Sequence, residues 1–96
     1  MVLHTLNASP NSAAFRDCLA AIAPGDALLL LGDGVYCVRG ATPACEAILR
    51  CGAQLYALDK DARAAGIIAT PDTVTITDMT GFVALTARYP RQLAWY

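Results

Sequence analysis

Apolar residues along the chain alternate between two spacings. Val2-Leu3-His4-Thr5-Leu6 alternates at a period of two, as a short strand does. Asn7 to Ser12 is rich in turn formers, and Ser9, Asn11 and Ser12 are candidate caps for a following helix. In that helix Phe15, Cys18, Leu19 and Ile22 fall at i, i+3, i+4 and i+7, one apolar stripe with Arg16 and Asp17 turned away. Pro24-Gly25-Asp26 stops it. The continuous run Ala27 to Leu31 predicts a strand covered on both faces, because it is short and flanked by Pro and Gly. Gly32-Asp33-Gly34 ends the run, and Val35 to Val38 begins another short element.

The second half repeats this alternation. Thr42 and Pro43 cap and open a helix, Glu46 and Arg50 suit its dipole, and Gly52 closes it. Gln54 to Leu58 predicts the third strand. Asp59 is expected to cap a short alanine-rich helix ending at Gly66. Thr73 to Thr77 is β-branched and predicts the fourth strand. Asp78 caps a last helix carrying Phe82, Val83 and Leu85, with Pro90 beyond its end. Leu93 to Tyr96 is an apolar tail with room for a small extra strand. Strand and helix in alternation predict a single α/β domain over residues 1–96. Its core would be a mainly parallel sheet of four to five strands with helices on both faces.

Composition sharpens the picture. The chain is 56% hydrophobic and 16% charged, which excludes disorder and exceeds what so small a domain needs for its core. The surplus predicts a subunit interface. Seven basic and eight acidic residues give a net charge of -1, so there is no basic patch for nucleic acid or an anionic membrane. Met1 to Ser12 carries no signal-peptide pattern, and no apolar run approaches the ~20 residues of a membrane span. A cytoplasmic location with reduced thiols is therefore expected.

Candidate chemistry is sparse. GxGxxG and GxxxxGK[ST] are absent, so no nucleotide cofactor is indicated. The single histidine, His4, lies inside the first strand, where a core or interface role is expected. Cys37, Cys45 and Cys51 have no zinc-like spacing, so no metal site is expected. Cys18, on the apolar stripe of the first helix, reads first as a small buried hydrophobe and second as a persulfide carrier. Cys37 follows the glycine turn and reads first as core packing and second as a thiol approaching a strand-end site. Cys45 lies in the first turn of its helix, where the dipole would favour a thiolate; Cys51 lies at the opposing end. In an open parallel sheet ligands gather at the carboxyl ends of the strands, which keeps a small-ligand module using Asp33 as an alternative.

Several segments together resemble the TusB/DsrH family of sulfur-relay subunits. They are Leu3-His4-Thr5-Leu6-Asn7 with Ser9-Pro10, and Leu28 to Leu31 followed by Asp33-Gly34-Val35-Tyr36. Tyr56-Ala57-Leu58 leads to the helix ending at Gly66, and Asp78, Gly81-Phe82-Val83, Leu85-Thr86 and Gln92-Leu93-Ala94-Trp95 follow. The resemblance implies a DsrE/DsrF-like fold in a heterohexamer of two copies each of three homologous subunits, with TusC-like and TusD-like partners. Sulfur from a cysteine desulfurase would pass through that complex to a TusE-like acceptor and on to the 2-thiolation of tRNA wobble uridine. In that picture the persulfide-bearing cysteine belongs to the TusD/DsrE-type partner, and this chain is a structural part of a sulfurtransferase complex. The sulfur-oxidation relatives of the DsrH type, which belong to a DsrEFH complex, instead carry a cysteine before a leucine in the first helix. Cys18-Leu19 matches that position, and the resemblance gives Cys37, Cys45 and Cys51 no role.

Overall fold

A computed structural model describes residues 1–96. Strand and helix alternate along the chain: β1 (Val2–Leu6), α1 (Ala13–Ala21), β2 (Ala27–Leu30), a 3-10 segment (Gly32–Val38) and α2 (Pro43–Leu49). There follow β3 (Gln54–Leu58), α3 (Asp59–Ala64), β4 (Val74–Thr77), α4 (Met79–Arg88) and β5 (Arg91–Trp95). The five strands form one sheet in the order β4-β3-β2-β1-β5, and every neighbouring pair is parallel.

This order fixes where the helices go. The first three crossovers step in one direction, from β1 through β2 and β3 to β4, and right-handed connections then share one face. The fourth steps back over the whole sheet from β4 to β5, so α4 must lie on the other face. The cores follow suit. Beneath α1, the 3-10 segment and α2 lie 14 buried residues, including Leu6, Phe15, Cys18, Leu28, Leu30 and Ile48. The face under α4 buries five: Leu3, Ala27, Leu29, Leu85 and Tyr89. One ten-residue helix cannot cover five strands, and this face is thinly dressed.

Local sequence explains most boundaries. The Ser12 hydroxyl accepts from the Phe15 amide at 3.1 Å, so Ser12 is the α1 cap among the three candidates. Thr42 caps α2 through the Cys45 amide at 3.1 Å, and Asp78 caps α4 through the Gly81 amide at 2.8 Å. All four residues of β2 are buried, because Leu28 and Leu30 face one core while Ala27 and Leu29 face the other. That double burial outweighs the helix preference of leucine.

Three expectations need correction. Asp59 is not a cap: Leu58 holds that position without a side-chain bond, and Asp59 sits inside α3, bonded to exposed Arg63 at 3.0 Å. The element expected from Val35 begins at Gly32 and is a 3-10 segment. The apolar tail is a full strand, β5, beginning two residues earlier at Arg91 and pairing with β1 from Val2↔Arg91 to Leu6↔Trp95. Its first four residues are exposed, so the polar pair Arg91-Gln92 masks the strand in the sequence.

Candidate functional site

Four thiols share the helix-rich face. Cys18, Cys37 and Cys45 belong to its core, and half-buried Cys51 packs against it. Burial pushes the Cys18 thiol up to about 12, and the neighbouring Cys51 and Cys37 add to the effect. Cys37 is likewise pushed up to about 12, mainly by burial and then by Cys45. Cys45 is raised by burial and then by the adjacent Glu46 carboxylate. The dipole expectation for Cys45 therefore fails, because desolvation and a like charge oppose it. Burial also raises Cys51, against hydrogen bonds from backbone amides. Thiols raised this far by burial stay protonated at neutral pH. Since the thiolate is the nucleophile, none of these cysteines is activated in this arrangement. Cys18 has no solvent-exposed surface.

No group of three or more His, Cys, Asp or Glu side chains is placed to hold a metal ion. No helix is long and apolar enough to cross a membrane.

The carboxyl ends of the strands carry polar groups, and two of them, Asn7 and Asp61, hold the glycine turn. Asn7 Oδ1 accepts from the Asp33 amide at 3.1 Å, and Asp61 Oδ2 accepts from the Gly32 amide at 2.7 Å. A shallow depression of about 190 Å³ lies between Gly32, Asp33, Tyr36 and Asp61. Gly34 is required by packing: a Cβ there would run into the backbone carbonyl of Leu6. Gly32 stands at φ +52, with the Asn7 side chain where its Cβ would be. The glycine turn thus serves the junction of β1 and β2 itself.

The most organised polar cluster lies elsewhere, under the sheet edge. His4 is 1% exposed and Asp26 4%. His4 Nε2 stands 2.9 Å from Asp26 Oδ2, and Trp95 Nε1 donates to His4 Nδ1 at 3.1 Å. An indole N–H can only donate, so Nδ1 is the acceptor and the single ring proton sits on Nε2, pointing at Asp26. The Asp26 carboxylate also accepts from the Val2 amide at 2.9 Å and the Ala23 amide at 3.0 Å. Burial alone would raise the Asp26 carboxyl, but the Ala23 amide, His4 and the Val2 amide together hold it below its usual value. No buried side-chain nitrogen or oxygen lacks a partner.

The expected core role of His4 holds, but sequence reasoning missed both partners. Asp26 reads as part of a Pro-Gly-Asp stop, and Trp95 as tail. One signal was available: Asp26 abuts the fully apolar run Ala27–Leu30, and a carboxylate buried with such a run needs donors.

Comparison with known proteins assigns this framework. The model of the family described as DsrH like protein matches residues 8–92. The chain belongs to the DsrH-like family. Relatives named Protein TusB align along its whole length. That of Erwinia tasmaniensis is 37% identical over 95 residues, covering 98% of this chain and all of the relative. That of Escherichia coli K12 is 36% identical with the same coverage, and that of Shigella dysenteriae is 38% identical over 96 residues. Among solved structures, the YchN protein of E. coli superposes with a TM-score of 0.73 at 18% identity, over 98% of this chain and 97% of its own. A protein of unknown function from Methanobacterium thermoautotrophicum superposes with a TM-score of 0.62 at 13% identity, over 97% and 96%. These two likenesses place the DsrH-like chain in a shared α/β fold.

Proposed function

We propose that this DsrH-like chain is a structural subunit of a TusBCD-type sulfur-relay complex in the cytoplasm. It assembles with TusC-like and TusD-like homologous chains into a heterohexamer, and the complex hands persulfide sulfur to a TusE-like acceptor for 2-thiolation of tRNA wobble uridine. The whole-length similarity to TusB proteins supports the family part of this reading. The observation that carries the structural role is the state of the thiols: all four are raised above their ordinary value, and three are buried. A chain without an activated nucleophile contributes shape and surface, and the cysteine that bears the sulfur belongs to a partner. The near-neutral net charge of -1 agrees with a subunit that does not itself grip tRNA.

A second reading has one observation in its favour. Cys18 precedes Leu19 in the first helix, where the sulfur-oxidation relatives carry a cysteine, which suits a DsrEFH-type complex with Cys18 as carrier. Such a carrier requires α1 to lift off the sheet, since the sulfur is enclosed. Sulfur transfer by the complex assembled with Cys18→Ser separates the two readings. The structural reading expects transfer at the wild-type rate, and a loss with assembly intact would establish the carrier.

A further inference from the structure

The His4 cluster joins three parts of the chain that are far apart in sequence. Asp26 holds the start of β1 through the Val2 amide and the turn after α1 through the Ala23 amide. His4 stands in β1, and Trp95 is the last residue of the edge strand β5. The two rings lie nearly parallel, 23° apart, with centroids separated by 6.2 Å. The two sides of the imidazole differ. Its Nε2–H already faces a carboxylate, whereas its Nδ1 lone pair faces an N–H donor.

From this asymmetry we infer that His4 is a pH-sensitive latch for β5. A second proton, taken from water, makes Nδ1 a donor that opposes the indole N–H, so the Trp95 end of β5 is released while the other strands stay paired. The imidazolium keeps its bond to Asp26 and turns it into an ion pair, so protonation strengthens one side of the cluster as it breaks the other. β5 is the element that yields, because it pairs with β1 alone and its residues Arg91 to Ala94 are exposed.

Asp26 is the charged group bonded to the ring. Across the sheet His4 is flanked by Leu28 on β2 and Leu93 on β5. On α1 the titratable group turned inward is the Cys18 thiol, while Arg16 and Asp17 are exposed, as is Arg91 on β5.

The chain contains a single tryptophan, so Trp95 reports on its own release. The test is intrinsic fluorescence of the full chain from about pH 8 to about pH 5, with far-UV circular dichroism and amide hydrogen exchange alongside. The expected result is a red-shifted, weakened Trp95 emission on the acid side. The β5 amides should lose protection roughly tenfold, the worth of about one hydrogen bond, while β2 and β3 stay protected and the circular dichroism is unchanged. In His4→Gln the fluorescence transition should vanish. If that variant does not fold, Trp95→Phe serves instead: its β5 amides should already exchange near neutrality at the wild-type acid level, after correction for intrinsic exchange. Emission independent of pH, a transition that persists in His4→Gln, full β5 protection in Trp95→Phe, or a transition that coincides with loss of circular dichroism would each overturn the latch.

Discussion

Asp26 illustrates how a single residue organises this fold. Its carboxylate accepts from two backbone amides and one imidazole, and all three partners are donors. Asp26→Asn would turn an amide NH2 against at least one of them. We expect a loss of about 2–4 kcal/mol at neutral pH, the cost of breaking a buried charged network, measured by denaturant unfolding. The pH dependence follows from the lowered Asp26 carboxyl. A carboxyl held lower in the folded state stabilises fully above the ordinary carboxylate range, and the stabilisation fades as pH falls through the folded value. The gap between wild type and Asp26→Asn should therefore persist from neutrality down to the ordinary carboxylate range and narrow only below it. The thiols give a second prediction at this scale. A disulfide reagent should label half-buried Cys51 first, with Cys18, Cys37 and Cys45 reacting on the timescale of unfolding and all four reacting in denaturant. Fast labelling of Cys18 in the native chain would contradict the enclosed geometry.

At the scale of elements, α4 is the helix that covers the thinly dressed face and still leaves apolar side chains in solvent. Leu85 and Tyr89 point into the sheet, while Met79 and Val83, one turn apart, are 56% and 62% exposed. Val83→Lys should leave the isolated chain's stability within about 0.5 kcal/mol, as a surface change does, yet weaken its association with homologous subunits, read by size-exclusion of the co-expressed proteins. Equal association of variant and wild type would remove α4 from the interface. Much of this level was legible beforehand. Periodicity located α1 and β1 through β4, and Thr42 and Asp78 cap as their side-chain chemistry suggests. The exceptions have physical causes. The 3-10 segment at Gly32 depends on how closely Gly34 can approach the Leu6 carbonyl, a contact between distant parts of the chain. β5 is exposed along most of its length and so shows no apolar alternation. The meeting of Asp26 and Trp95 at His4 was hidden for a different reason: it arises only after β5 has crossed back to the opposite edge.

For the whole molecule the decisive feature is the imbalance between the faces. Fourteen residues are buried under one side of the sheet and five under the other. Ile76, Met79, Val83 and Leu93 remain exposed in a chain that is 56% hydrophobic. Scattered apolar residues are ordinary on a surface, but this quantity on so small a chain, with charges nearly balanced, marks a protein made to be covered. The membership of the DsrH-like family points the same way. The most direct measurement is light scattering coupled to native mass spectrometry on the chain co-expressed with TusC-like and TusD-like chains. The account predicts one species with the mass of two copies of each of the three chains. A stable monomer that stays apart from both partners while they associate with each other would contradict it.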